Sequence, residues 1–329
     1  MQKPADMEQR VAQSERLIEE RRGAKRGKPE RSYLSIADLT REEFAALIDG
    51  GLDVKRNPEK YRSTLKDLSV ALLFAKTSTR TRVSFEVGVG EMGGRALYMD
   101  WRTTNFTLGE LSDEVRVLSR YVDLVMARVY GHEDLEVMRA HSEVPVINGL
   151  SDRFHPCQGL TDYMTMKEYF GTLEGLKLAY VGDGNNVAHS LINGGVKTGV
   201  TVAVAHPEGY APRQDVVDRA RADGGTVELT TDPREAVAGA DVVYTDTWVS
   251  MGDEAQKEIR LKAFSGFAVD EALLSHAEKH TLVMHCLPAH RGYEISDFAM
   301  DAPHSVVYDQ AENRKHAQKY LMGWILERV

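Results

Sequence analysis

Ser78-Thr79-Arg80-Thr81-Arg82 places three hydroxyls and two guanidiniums in five consecutive residues. The apolar run Val70-Ala71-Leu72-Leu73-Phe74 before it reads as a strand, and Val83 to Met92 reads as a helix. The motif therefore falls where a strand gives way to a helix. Free backbone N–H groups and the helix dipole favour an anion at such a junction, and phosphate is the first ligand these residue types suggest. The plain alternative is a Ser/Thr helix cap beside solvated arginines.

Polar residues recur at the ends of other strand-like segments: Arg128, His155 with Gln158, Asn185-Asn186, Asp246 with Ser250, His285-Cys286, and Arg314. Ligands of open α/β sheets gather at the carboxyl ends of strands. Several arginines there imply an anionic substrate, and a carboxylate with amides in the second half implies a second substrate carrying an amino group. Taken singly, each has an ordinary reading. Arg128 is a surface charge, His155 before Pro156 caps a helix, Asn185-Asn186 forms an Asx turn, and Cys286 is an inert buried thiol. Their common placement is what points to a site. Gly182-x-Gly184 is half a dinucleotide fingerprint without its third glycine or ribose-binding acid. Adjacent His285 and Cys286 do not define a base and nucleophile, and no spacing suggests a metal triad, so neither metal nor cofactor is expected.

The elements that would carry these residues alternate. Strand patterns at 69–74, 95–99, 122–127 and 144–148 are separated by helical ones, including Glu110 to Arg120 and His132 to His141. After a loop at 148–156 and a helix from Gln158 to Tyr169, strands at 176–181, 200–205, 227–229, 242–245 and 282–284 continue the pattern, with helices from Val187, near 214–222, 258–264 and 270–277. A last strand is expected at Val306-Val307-Tyr308, then a helix from Asn313 to Trp324. Short strands alternating with ten-residue helices predict an α/β chain of two domains, each with a central parallel sheet flanked by helices.

At 329 residues the chain is longer than one core usually supports, and 42% hydrophobic residues suffice for two. Fifty acidic against 41 basic side chains give a net charge of −9, which disfavours broad nucleic-acid binding. No apolar stretch reaches the roughly 20 residues a membrane span needs. Two cysteines and an N-terminus without an apolar core make a reducing cytoplasm the expected compartment. Residues 1–32 are charged and read as a solvated arm, with no chemistry assigned.

With these motifs in order, residues 33–329 resemble the aspartate/ornithine carbamoyltransferase family, on its ornithine branch. Ser78-Thr79-Arg80-Thr81-Arg82 is similar to the family's carbamoyl phosphate loop, and Arg128 to the arginine after its third N-domain strand. His155-Pro156-Cys157-Gln158 is similar to the segment contacting the carbamoyl group. Asp246-Thr247-Trp248-Val249-Ser250-Met251-Gly252 and His285-Cys286-Leu287-Pro288 are similar to the ornithine branch, and Arg314 in Ala311-Glu312-Asn313-Arg314 to the C-terminal phosphate ligand.

The resemblance implies transfer of a carbamoyl group from carbamoyl phosphate to the δ-amine of L-ornithine, without a cofactor. It implies that Ser78, Thr79, Arg80, Thr81 and Arg314 hold phosphate, that Arg128, His155 and Thr81 polarise the carbonyl, and that Gln158 orients the carbamoyl amide. Asn186, Asp246, Ser250 and the Met251 backbone would hold the amino-acid end of ornithine. Cys286 and the Leu287 carbonyl would lie near the reacting amine and the carbamoyl nitrogen. It implies a homotrimer open to further association, and domains of 33–153 plus 313–329 for carbamoyl phosphate and 154–312 for the amino acid. Residues 103–111 look about three residues shorter than the usual ornithine-branch loop, with Thr107 where a glutamine is common. That departure keeps a related amine, putrescine or a modified ornithine, in view through Trp101, Arg102 or Phe106. The remaining alternative is a non-catalytic regulatory paralogue.

Overall fold

Thr40 and Glu43 satisfy each other's free backbone amides in a capping box that starts α1 (Arg41–Arg56), whose Phe44, Leu47, Ile48 and Leu52 turn inward. The computed structural model describes residues 11–17, 19, 29–249 and 254–329. Ser250, Met251 and most of the charged arm thus lie outside the described residues.

The first half is a parallel sheet of β1 (Ser69–Phe74), β2 (Arg95–Asp100), β3 (Leu124–Arg128) and β4 (Val146–Leu150), ordered β2-β1-β3-β4. Its helices include α2 (Thr79–Glu91), α3 (Leu111–Leu118) and α4 (His132–His141). The second half is a parallel sheet of β5 (Lys177–Val181), β6 (Thr201–Ala205), β7 (Val227–Thr230), β8 (Val242–Thr245) and β9 (Leu282–His285), ordered β7-β6-β5-β8-β9. Strands covered on both faces read as continuous apolar runs, which is why β1 and β8 carry almost no polar residue.

Both strand orders reverse once. The chain leaves β1 toward β2, while β3 lies on β1's other side; it leaves β5 toward β6, while β8 lies on β5's other side. Loops diverge at such points and leave a crevice at the strands' carboxyl ends. The Ser78 motif follows β1 and Arg128 ends β3; Asn185 and Asn186 follow β5 and Asp246 follows β8. The candidate residues therefore stand at the two switch points.

Two helices join the halves. Helix α5 (Pro156–Phe170) starts at a proline suited to a first turn, and the last helix runs Val307–Ile325. In the second half α6 (Asn186–Thr198) packs on α5, where Tyr163 is fully buried and its hydroxyl donates to the Leu191 carbonyl at 2.6 Å. Burial of that ring is worth roughly 2–3 kcal/mol. Returning to the first half, the last helix packs on α1, α2 and α5, and Lys315 and the buried Lys319 both pair with Glu91 at 2.9 Å.

Two expectations are corrected. Val306-Val307-Tyr308 is not a strand: Val306 donates to the Val283 carbonyl, Ser305 makes an isolated bridge to Val283, and Val307 already opens the last helix. A β-branched pair suggested extension, but the helix formers after it and packing on α1 prevail. The helix after β1 starts at Thr79 rather than Val83, because Ser78 Oγ accepts from the Thr81 N–H at 3.2 Å and caps it. Thr79, Arg80 and Thr81 thus form its first turn.

Candidate active site

A cavity of about 630 Å³ lies between the carboxyl ends of the two sheets. One wall is the start of α2, Ser78 to Thr81, with Arg128 from β3, His155 at the cap of α5 and Arg314 from the last helix. Facing it are Asn186, Asp246, Cys286 and Leu287. Every residue within the described region that the resemblance ties to a substrate borders this space except Gln158, which is fully buried behind Arg314; of the other strand-end candidates, Arg82, Asn185 and His285 do not border it. Residues 103–111 do not border it; Phe106 packs on Trp101 at 5.2 Å between ring centres, and Arg102 pairs with Asp100. The expectation that Trp101, Arg102 or Phe106 reshapes the pocket is therefore not met within one chain.

The first wall concentrates positive charge out of water. Arg128 is 8% exposed, His155 5% and Arg314 3%. Burial, then the charges of Arg314 and Arg80, lower the Arg128 pKa to about 10. Burial, then Arg314, Arg128 and Arg80, hold His155 well below the usual imidazole range, so it is neutral near pH 7. Arg314 Nη1 donates to Gln158 Oε1 at 2.6 Å and faces His155 Nε2 at 3.4 Å, while Nη2 donates to Thr81 Oγ1 at 3.1 Å. With Nε2 as acceptor, the His155 proton sits on Nδ1, which has no hydrogen-bond partner; nor have Arg128 Nε and Arg314 Nε. Buried donors repelling one another beside free helix-start amides are suited to a multiply charged oxyanion.

The second wall carries negative charge and acceptors. Asp246 Oδ2 accepts from Asn185 at 2.7 Å, and Oδ1 from the Thr247 N–H at 2.7 Å and the Cys286 thiol at 2.9 Å. Burial, then the Asp246 charge, push the Cys286 pKa well above its normal range. Cys286 is therefore a neutral S–H donor rather than a thiolate nucleophile. Asn185 caps α6 through the Val187 and Ala188 N–H groups, and Asn186 donates to the Ser151 carbonyl at 2.5 Å. Leu287 sits in the left-handed region at φ 59°, a strain of about 1–3 kcal/mol held at the cavity edge.

The structure also brings ligand atoms of Asp246, His285 and Cys286 within 4.8 Å of one another, a grouping that spacing did not reveal. These atoms already serve one another and their neighbours: His285 Nδ1 accepts from the Leu287 N–H at 2.8 Å and Nε2 donates to Glu294 at 3.2 Å. The group is a hydrogen-bonded lattice that shapes the wall. Glu294, His290 and Lys257 border the cavity too and were missed, since the segments carrying them read as loop and surface helix. Asp162 and Gln310, fully buried behind it, were also missed. An acid one turn after Gln158, beside the apolar Leu160, Tyr163 and Met164, was the available signal for Asp162.

Residues 31–168 match the family model described as the aspartate/ornithine carbamoyltransferase carbamoyl-P binding domain, and residues 174–325 match that of the Asp/Orn binding domain. The ornithine carbamoyltransferase of Methanoculleus marisnigri is 50% identical over 295 residues, 89% of this chain and 96% of its own. The anabolic ornithine carbamoyltransferase of Pyrococcus furiosus is 49% identical over 303 residues, 90% and 96% of the two chains. The solved structure of ornithine carbamoyltransferase from Pyrococcus furiosus matches with a TM-score of 0.85 at 49% identity, covering 89% of this chain and 96% of that one.

Proposed function

This chain belongs to the aspartate/ornithine carbamoyltransferase family, and from that premise we propose how its cavity performs the reaction. The chain is an enzyme that transfers the carbamoyl group of carbamoyl phosphate to the δ-amine of L-ornithine, giving L-citrulline and phosphate. The observation that carries the site assignment is the facing of a buried Arg128–His155–Arg314 cluster by the Asp246–Cys286 wall across one cavity.

Ser78, Thr79, Arg80 and Thr81 hold the phosphate on the first turn of α2, and Arg314 completes the clamp. Arg128, the His155 Nδ1–H and the Thr81 hydroxyl donate to the carbonyl oxygen, where negative charge grows as the amine attacks. The nitrogen–carbon bond forms, the bond from carbon to the phosphate oxygen breaks, and the departing phosphate takes the amine proton. Removing one such donor typically costs about 2.7–4 kcal/mol of transition-state stabilisation, and holding both substrates in register supplies the other large contribution. Asn186, Asp246, Ser250 and the Met251 backbone hold the α-amino and carboxylate end of ornithine. Cys286 steadies Asp246, and the Leu287 carbonyl receives an N–H of the carbamoyl group. Gln158 orients the carbamoyl amide through Oε1, which keeps its bond from Arg314.

By this reading residues 33–153 with 313–329 form the carbamoyl phosphate domain and 154–312 the ornithine domain. A cytoplasmic homotrimer fits the exposed Val83 and Val87 on α2 and Leu97 on the edge strand β2, which supply an apolar face for a second copy. Among the described residues no helix is long and apolar enough to cross a membrane. The test is carbamoyl transfer by purified protein to L-ornithine, putrescine, N-acetylornithine and L-aspartate, with direct detection of product. Preference for ornithine is expected. Preference for another amine keeps the carbamoyl-transfer chemistry and overturns the ornithine assignment, and silence with all four refutes catalysis.

A further inference from the structure

We propose that Asp162 is a positioning residue that decides which end of the Gln158 and Gln310 amides faces each half of the active site; this rests on reading Arg314 as the phosphate ligand. Asp162 lies on α5 one turn beyond Gln158, out of contact with water and with the cavity. Its Oδ1 accepts from Gln158 Nε2 and from Gln310 Nε2, both at 2.7 Å, while Oδ2 has no partner.

A glutamine amide has a donor end and an acceptor end of nearly equal size, so packing alone does not choose its orientation. Asp162 is the acceptor common to both; Gln310 Nε2 also reaches the Tyr244 hydroxyl at 3.2 Å, a group that can donate or accept and so does not set the orientation. With their NH₂ groups turned to one carboxylate oxygen, the two amides present their carbonyl oxygens elsewhere. Gln158 Oε1 accepts from Arg314 Nη1 at 2.6 Å, and Gln310 Oε1 accepts from the His285 N–H at 3.0 Å, at the end of β9 just before Cys286 and Leu287. A flip of Gln158 would set NH₂ against guanidinium, and a flip of Gln310 would set NH₂ against a backbone N–H. One acceptor atom on the helix between the halves thus holds the anion clamp on one side and the amine-side wall on the other. The acceptor geometry is what matters and the charge is not: asparagine keeps the oxygen and leucine does not.

The experiment measures the dissociation constant of inorganic phosphate by calorimetry on the full chain, together with KM for carbamoyl phosphate and for L-ornithine. Asp162→Leu is expected to weaken phosphate about ten- to a hundredfold and to raise both KM values, while Asp162→Asn stays within about threefold of the parent. Gln158→Leu should reproduce the phosphate loss without moving the ornithine KM, and Gln310→Leu should do the reverse. Should Asp162→Leu not fold, the asparagine variant and the two glutamine variants decide alone. An asparagine variant that loses phosphate tenfold would assign the role to charge and overturn the proposal, as would native phosphate affinity in Gln158→Leu. Arg314→Met separates the two levels. Native phosphate affinity there removes the clamp itself and this proposal with it, whereas lost affinity there with intact glutamine variants leaves the clamp standing and removes only the part given to Asp162.

Discussion

Replacing Arg314 by methionine keeps an unbranched apolar stem and removes the guanidinium with its charge. In the free enzyme, bonds to Gln158 and Thr81 at 2.6 and 3.1 Å would be lost, at about 1.5–3 kcal/mol each for hydrogen bonds to a charged group. Against this, a guanidinium 3% exposed has a desolvation penalty of several kcal/mol, and the repulsion by Arg80 offsets part of the attraction of Asp162. The two sides nearly cancel, so unliganded stability should change by less than about 2 kcal/mol. Ligand binding should not be spared. At one hundred times its dissociation constant, phosphate stabilises the parent by about 2.7 kcal/mol. For 329 residues the unfolding entropy is about 0.7 kcal/mol/K, so the melting temperature should rise by about 4 °C. A hundredfold weaker site at the same phosphate concentration retains only about 0.4 kcal/mol, a rise below 1 °C. In a citrulline assay, kcat/KM should fall about 10²–10³-fold. Scanning calorimetry with and without phosphate, beside steady-state kinetics, checks both. A variant that keeps half the phosphate-induced rise, or kcat/KM within tenfold of the parent, would refute the clamp.

Burial raises the Asp162 pKa from 3.8 to about 7, so the folded protein holds a proton there that the unfolded chain releases between those values. That contribution is fully present below pH 3.8 and is lost as pH rises through 7. Asp162→Asn has no such loss, so denaturant titrations should show its stability gaining on the parent by about 2–3 kcal/mol from pH 5 to 8; a constant difference across that range would contradict it. Gly184→Ala would place a methyl 2.1 Å from the Pro212 backbone nitrogen, in the loop that leads to Asn185 and Asn186. A destabilisation of at least about 2 kcal/mol is expected by thermal melting, and a neutral substitution would show that the Pro212 loop yields freely.

The sequence by itself determined the alternation of strands and helices, and with it the fold class, because apolar runs and turn residues are local properties. It also located nearly all the cavity-lining residues expected of the site, since polar side chains at the ends of apolar strands have few other uses; Ser78 to Thr81, Arg128 and Asp246 were all legible in that way. The tertiary structure decided what depends on contacts distant along the chain. Val307 begins a helix rather than ending a strand because the packing surface that α1 offers is more than 250 residues away in sequence. Gln158 is held behind Arg314 because folding brings two residues 156 positions apart in sequence within hydrogen-bonding distance, a pairing that their separate places at strand ends did not show. Gln310 was illegible for the same reason, and the signal at Asp162 did not name its partners. An acid among buried apolar neighbours looks like a fault until folding supplies the two amides whose orientation it sets, and no local pattern encodes a hydrogen bond whose partner arrives with another element.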